Sequence, residues 1–241
     1  MVDITPFLNK TSHRINLWWE ERGRKETREQ YPTLRASKLG SPCDRALWYE
    51  YNWHKPAEQF SGRMYRLFDR GNMEEERFIN ALKGIGVTVY DEQREVKALD
   101  DRFTGHIDGI GLGLPEAPKT PHLLEFKTHG DKSYKQLIKN GLQEAKFQHY
   151  TQMQIYMHLL GLTRGMYLAV NKNDDEIYAE RVYHDKGFCT AQLMRADRII
   201  QAKTPPQKLD ENPDFFQCRF CWFKDVCHEG AVYETVKRNE G

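Results

Sequence analysis

GHIDGIGLGLPEAPKTPHLLEFKTH, residues Gly105 to His129, is the stretch whose reading decides the fold. Two short apolar runs, at about 103 to 110 and 122 to 128, read as strands. Residues 111 to 121 between them hold two glycines and three prolines and are expected to form an irregular loop. Side chains alternate across a strand, so Glu125 and Lys127 share one face while Leu124 and Phe126 take the other. Asp108 lies 17 residues before Glu125, enough for strand end, loop and return strand. Two carboxylates and a lysine can thus meet at adjacent strand ends.

Those residue types suit one kind of chemistry. Magnesium or manganese prefers hard oxygen ligands in near-octahedral geometry, which Asp108, Glu125, the main-chain carbonyl of Phe126 and waters can supply. Such an ion polarises a phosphate and acidifies a water, and a nearby lysine balances the charge that develops. The triplet alone is weak, because Glu-x-Lys occurs three times, at Glu95-Val-Lys97, Glu125-Phe-Lys127 and Glu144-Ala-Lys146. Glu144 sits in a helical pattern, where residues two apart diverge. Glu95 has no acidic strand-end residue at a useful distance upstream. A surface Glu–Lys pair beside a turn aspartate is the plain alternative.

Around this stretch the chain alternates helices and strands. Residues 3 to about 30 read as helix, as do roughly Tyr65 to Lys83, a start near Asp131, Gln143 to Leu160, and Asp185 to Ala202. Val87 to Lys97 reads as strand with a turn near Asp91, and Arg164 to Val170 with Glu176 to Tyr183 reads as a hairpin. The pattern predicts an α/β fold, a mixed central β-sheet flanked by helices. It divides into an N-terminal helical region (1–60), a core (61–204) and a cysteine-rich tail (205–241), together one compact domain. In the helix before Gly84, Glu75 precedes Phe78, Ile79 and Leu82 by three, four and seven residues and is expected to face inward; Glu74 and Glu76 are expected to be solvated. Gln148, Gln152 and Tyr156 recur every four residues and share a helix face. Met153, Met157 and Leu160 form the neighbouring apolar stripe. Arg35 to Trp53 interleaves basic and aromatic residues, which suits either a platform for single-stranded nucleic acid or a helix using its aromatics as core.

Composition sets broad limits. In 241 residues, 39% are hydrophobic and 29% charged, and the mean hydropathy is -0.79. There is no apolar run of about 18 residues and no signal-peptide pattern at the N-terminus, so no membrane segment and a reducing cytoplasmic location are expected. The net charge of +1 neither favours nor excludes nucleic acid. In a reducing compartment the five cysteines point to metal binding or burial rather than disulfides. Cys218, Cys221 and Cys227 form a C-x2-C-x5-C triplet that needs a distant fourth ligand, either Cys43 or Cys189. Iron–sulfur clusters accept that arrangement more readily than zinc ribbons do. Cys189 reads as a buried free thiol.

In order, Glu75, Asp108, Glu125-Phe-Lys127 and Gln152-Met-Gln-Ile-Tyr156 resemble the RecB-type branch of the PD-(D/E)xK nucleases over about residues 62 to 183. The resemblance implies a restriction-endonuclease-like core in which Asp108 and Glu125 bind metal, Lys127 is catalytic, and Gln152 and Tyr156 support the site. Many relatives carry histidine four residues after a glycine where this chain has Glu75 after Gly71, so the third carboxylate takes that ligand's place. His106, two residues before Asp108, is read as a neighbour. One cysteine before the core and three after it resemble the iron–sulfur members of that branch: the CRISPR-adaptation exonucleases, the AddB nuclease domain and phage-encoded relatives. For those the implied ligands of a 4Fe–4S cluster are Cys43, Cys218, Cys221 and Cys227, with zinc on the same thiolates as the alternative. The activity implied is a metal-dependent DNA exonuclease, acting on single-stranded or end-containing DNA in recombination, repair or CRISPR-type processing, with protein partners from those systems. A structure-specific endonuclease and an inactive DNA-binding accessory protein are the alternatives.

Overall fold

In the computed structural model, residues 10–25, 33–52, 55 and 58–233 are described. The N-terminal helix is seen as α1 (Thr11–Lys25), preceded by a bend at Lys10; residues 3–9 and 26–30 of the expected span, like Trp53, lie outside the described residues. A two-residue strand β1 (Leu34–Arg35) and a 3-10 turn lead to α2 (Asp44–Tyr51). The long helix α3 (Gly62–Gly84) precedes β2 (Thr88–Tyr90), β3 (Glu95–Ala98), β4 (Phe103–His106), β5 (Gly109–Leu112) and β6 (His122–His129). Helices α4 (Asp131–Ala145) and α5 (Phe147–Leu160) cross over to β7 (Arg164–Asn171), which pairs back with β8 (Ile177–Tyr183). Helix α6 (Lys186–Gln201) and two short helices, α7 (Phe216–Arg219) and α8 (Lys224–His228), follow among the described residues.

The strands make two sheets rather than one. The central sheet has the order β2-β5-β6-β7-β8, antiparallel except for the parallel pair β6 and β7; a smaller sheet runs β1-β4-β3. The expected strand at 103 to 110 is therefore split. Phe103–His106 pairs with β3 and β1, and Gly109–Leu112 pairs with β6 and β2. Ile107 and Asp108 form the step between the sheets. The mixed α/β class stands, with a second sheet added.

Strand β6 is covered on both faces, so its apolar residues divide between two cores. Leu124 and Phe126 join Met166, Leu168 and Val170 of β7 beneath Phe78, Ile79 and Leu82 of α3. Phe78 stacks on Phe126 with ring centroids 5.4 Å apart. Leu123 faces the other way, into a larger core with Met153, Tyr156 and Tyr167. Trp48, Tyr49 and Tyr51 are buried in that core too, and the Trp48 indole donates to the Ala202 carbonyl at 2.7 Å. The aromatics of α2 thus pack the interior and offer no face to a nucleic-acid base.

Two helical expectations change. The helix predicted over Gln143 to Leu160 is interrupted at Lys146 (φ -140°, ψ 54°), which separates α4 from α5; a kink at Gly141 (φ 72°) lies just before that span. Glu74, expected in solvent, is buried and pairs with Arg77 at 2.6 Å. Glu74 precedes Phe78 and Leu82 by four and eight residues, so it shares their buried stripe on α3.

Candidate active site and cysteine cavity

Asp108 leaves the step between the sheets, and its Oδ2 accepts a 2.7 Å hydrogen bond from the Phe126 amide. That bond fastens the turn residue to the strand carrying Glu125 and Lys127. The alternation of β6 sends Glu125 and Lys127 together to the Leu123 side of the sheet. The Lys127 ammonium rests against Glu125 Oε1, donates to the Phe126 carbonyl at 3.0 Å, and lies 4.0 Å from Asp108 Oδ2. The oxygen donors expected to bind metal thus surround one positive charge.

The electrostatics match that crowding. Glu125 is 0% exposed, and neither carboxylate oxygen accepts a hydrogen bond of good geometry. Burial drives its carboxyl up to about 8, against the pull of Lys127 and with a further push from Asp108. Burial also raises Asp108, outweighing Lys127 and the Phe126 amide. For Lys127 burial works downward, but Glu125 and Asp108 overcome it and hold the ammonium above its ordinary range. Glu75 is raised by burial and then by the charge of Asp108, while its carboxylate also accepts from the Gln93 amide. A sealed carboxylate that shares one ammonium with neighbouring acids is where a hard divalent cation would fit.

Gln152 and Tyr156 of α5 stand behind the carboxylates, both buried, with the Gln152 amide 3.5 Å from the Tyr156 hydroxyl. Burial, then Glu125 and Asp108, push the Tyr156 phenol well above its usual range, and the main chain of His106 hydrogen-bonds its oxygen. Gly105 leaves room for this ring, since a Cβ there would lie 2.5 Å from the phenolic oxygen. His106 itself is exposed and approaches the site only through its backbone.

Asp108, Glu75 and Lys127 open into a cleft of ≈ 560 Å³, which also meets Phe68, Lys146 and two histidines that sequence reasoning missed. His129 Nε2 and His149 Nδ1 both contact the Tyr167 hydroxyl, at 2.8 and 2.9 Å. Burial followed by the positive charge of neighbouring lysines depresses both imidazoles, His149 to about 3 and His129 to about 4, so both are neutral near pH 7. Lys146, Lys127 and Lys172 are all close enough to act on His129. The signal available in sequence was only that His129 ends the Glu-x-Lys strand.

Cys43, Cys218, Cys221 and Cys227 line one mainly apolar cavity of ≈ 30 Å³, with Tyr49 and Phe223 among its walls. The Cys43 sulfur caps α2 by accepting from the Ala46 amide at 3.4 Å. Burial, followed by Cys43 and Cys227, raises the Cys218 thiol. The segments carrying these cysteines are fastened from outside as well. Arg195 binds Asp44 and the carbonyls of Leu39 and Ser41, Arg45 reaches the Pro206 carbonyl, and Lys55 reaches Asp225 and the Trp222 carbonyl. Cys189 stands apart, fully buried in α6.

No protein-family model matches the chain, and no curated protein sequence matches it. Solved structures share its fold. The crystal structure of SSO0001 is 16% identical, with a TM-score of 0.56, and the match covers 94% of this chain and 100% of that one. An alkaline exonuclease from Laribacter hongkongensis, LHK-Exo, is 14% identical with a TM-score of 0.53, over 76% of this chain and 90% of its own. The same enzyme in complex with dAMP gives a TM-score of 0.52 at 14% identity, with the same coverage. At such identities the likeness is one of fold, the mixed α/β core with its flanking helices.

Proposed function

We propose that this chain is a divalent-metal-dependent deoxyribonuclease of the PD-(D/E)xK type, acting as an exonuclease on DNA with free ends. The observation that carries the reading is the convergence of Asp108, Glu125 and the Phe126 carbonyl on the Lys127 ammonium, at the wall of an open cleft. The fold shared with an alkaline exonuclease, one structure of which holds dAMP, favours the same chemistry.

Asp108, Glu125, the Phe126 carbonyl and Glu75 would hold a magnesium or manganese ion, which supplies Lewis-acid polarisation of a phosphate and an acidified water when bound. Lys127 keeps its proton across the working pH range, so it serves as a fixed charge that orients the water or a phosphate oxygen, not as a base. Tyr156 also keeps its proton and presents a hydroxyl from behind the site. Lys146 at the cleft wall, and Lys172 close enough to act on His129, add positive charge, which favours a polyanionic backbone. Neutral His129 and His149 leave that field unopposed and can accept or donate through Tyr167.

For Cys43, Cys218, Cys221 and Cys227 we assign a 4Fe–4S cluster that clamps the tail to α2. A local triplet of cysteines and a remote fourth meet at one cavity, the arrangement an iron–sulfur cluster accepts more readily than a zinc ribbon does. Anaerobically prepared protein is expected to be brown and to bleach on reduction. A colourless protein holding stoichiometric zinc would overturn the assignment.

End-labelled linear DNA, single- and double-stranded, offered with magnesium or manganese beside circular single-stranded DNA, tests the activity. Stepwise shortening of the linear forms with the circle intact is the expected result. A cut circle would replace the exonuclease with an endonuclease on the same core, and no cleavage of any form would leave a DNA-binding accessory protein.

A further inference from the structure

The side chains of His158, His184 and Cys189 meet away from both sites described above. None of the three lines the carboxylate cleft, and none lines the cysteine cavity. We propose that they form a third metal site, selective for a zinc-class divalent ion and with one coordination position open to solvent. His158 Nδ1 and His184 Nε2 are 3.2 Å apart, and a ring nitrogen of each histidine lies within 4.8 Å of the Cys189 sulfur. Two nitrogens bound to tetrahedral zinc at about 2.0–2.1 Å stand about 3.3–3.4 Å apart, and a nitrogen and a sulfur stand about 3.5–3.6 Å apart. The imidazole pair therefore already spans one edge of the tetrahedron, and only the sulfur has to close in. Imidazole and thiolate together select zinc, cobalt or nickel over magnesium and calcium.

The surroundings hold these ligands in place. Gln154, one helical turn before His158 on α5, is fully buried. Its Oε1 accepts from the Asp185 amide at 2.8 Å, and its Nε2 donates to the Tyr183 carbonyl at 2.7 Å. Both neighbours of His184 are thus fixed by one side chain, and the His184 amide itself donates to the Thr163 carbonyl at 3.2 Å. The Cys189 thiol donates to the Gln154 carbonyl at 3.2 Å, which aims the sulfur back toward α5. Ligands from the end of α5, the β8–α6 connection and the first turn of α6 would be joined by one ion. His158 and His184 are partly exposed, so that ion has a route in from solvent.

The full chain, prepared anaerobically and held in excess magnesium, is titrated with zinc by calorimetry and with cobalt by difference absorbance. Wild-type protein is compared with His158→Gln, His184→Gln and Cys189→Ser. The expected result is a zinc site in the wild type that weakens at least about tenfold in each variant. A tetrahedral cobalt spectrum should accompany it, losing its thiolate charge-transfer band in Cys189→Ser. The two histidine variants touch no other cysteine or carboxylate site, so zinc bound elsewhere is common to all four proteins and cancels. Histidine variants that keep native circular dichroism and bind zinc and cobalt as the wild type does would overturn the proposal. So would a wild type with no zinc uptake sensitive to these residues, which would leave a hydrogen-bonded imidazole pair.

Discussion

Because burial holds the Glu125 carboxyl near 8, a cation entering the cleft must expel a proton from it. A group with that midpoint is protonated in about nine molecules of ten at pH 7, so binding one ion should release about 0.9 proton there. Between pH 6 and 8 the fraction of ionised Glu125 rises about fiftyfold, and magnesium affinity should rise by the same factor. Asp108 and Glu75 are shifted in the same direction, chiefly by burial. Without metal the sign reverses for stability. The folded chain binds the extra proton between the ordinary value of 4.5 and about 8, so the contribution of Glu125 is greatest at the acid end and is lost as pH rises through that window. Calorimetric titration of magnesium in buffers of different ionisation enthalpy reads both proton release and affinity, with Glu125→Gln as the control that should flatten the slope. An affinity constant within about threefold from pH 6 to 8, with no buffer-dependent heat, would refute this picture of a buried acid waiting for a cation.

Two further perturbations probe how the sites are held. Gly105→Ala drives a methyl group into Tyr156 and should cost about 1–3 kcal/mol, the usual range for overpacking, seen as a lower urea midpoint; an unchanged midpoint would mean the Tyr156 ring is not fixed behind the carboxylates. Arg195→Met strands Asp44 and two carbonyls around the Cys43 turn and should cost about 2–4 kcal/mol, with faster loss of visible absorbance in air than in wild type. Equal bleaching rates would show that the turn does not depend on Arg195.

Local patterns in the sequence carried the heart of the site. The alternation Leu124-Glu125-Phe126-Lys127 was readable because a strand has period two; Glu75, expected to face the core, is instead half-buried at the open cleft. Long-range pairing was not readable in the same way. Nothing local to Phe103–Ile110 tells that its two halves choose different partners, yet that choice places Asp108 at the step between sheets. Glu74 was misjudged although the helix period carries it: it precedes Phe78 and Leu82 by four and eight residues and lies on the stripe they bury. The histidines beside Lys127 were missed because β6, α5 and β7 each supply one member of the His129–Tyr167–His149 group.

If Lys127 works with the two carboxylates on a DNA phosphate, its ammonium is needed for cleavage but not for binding. Cleavage of end-labelled DNA with magnesium or manganese is measured beside DNA binding for wild type and Lys127→Ala. The account predicts that Lys127→Ala loses cleavage while binding DNA within a few-fold of wild type and keeping its circular dichroism. Undiminished cleavage by a folded Lys127→Ala protein would contradict it.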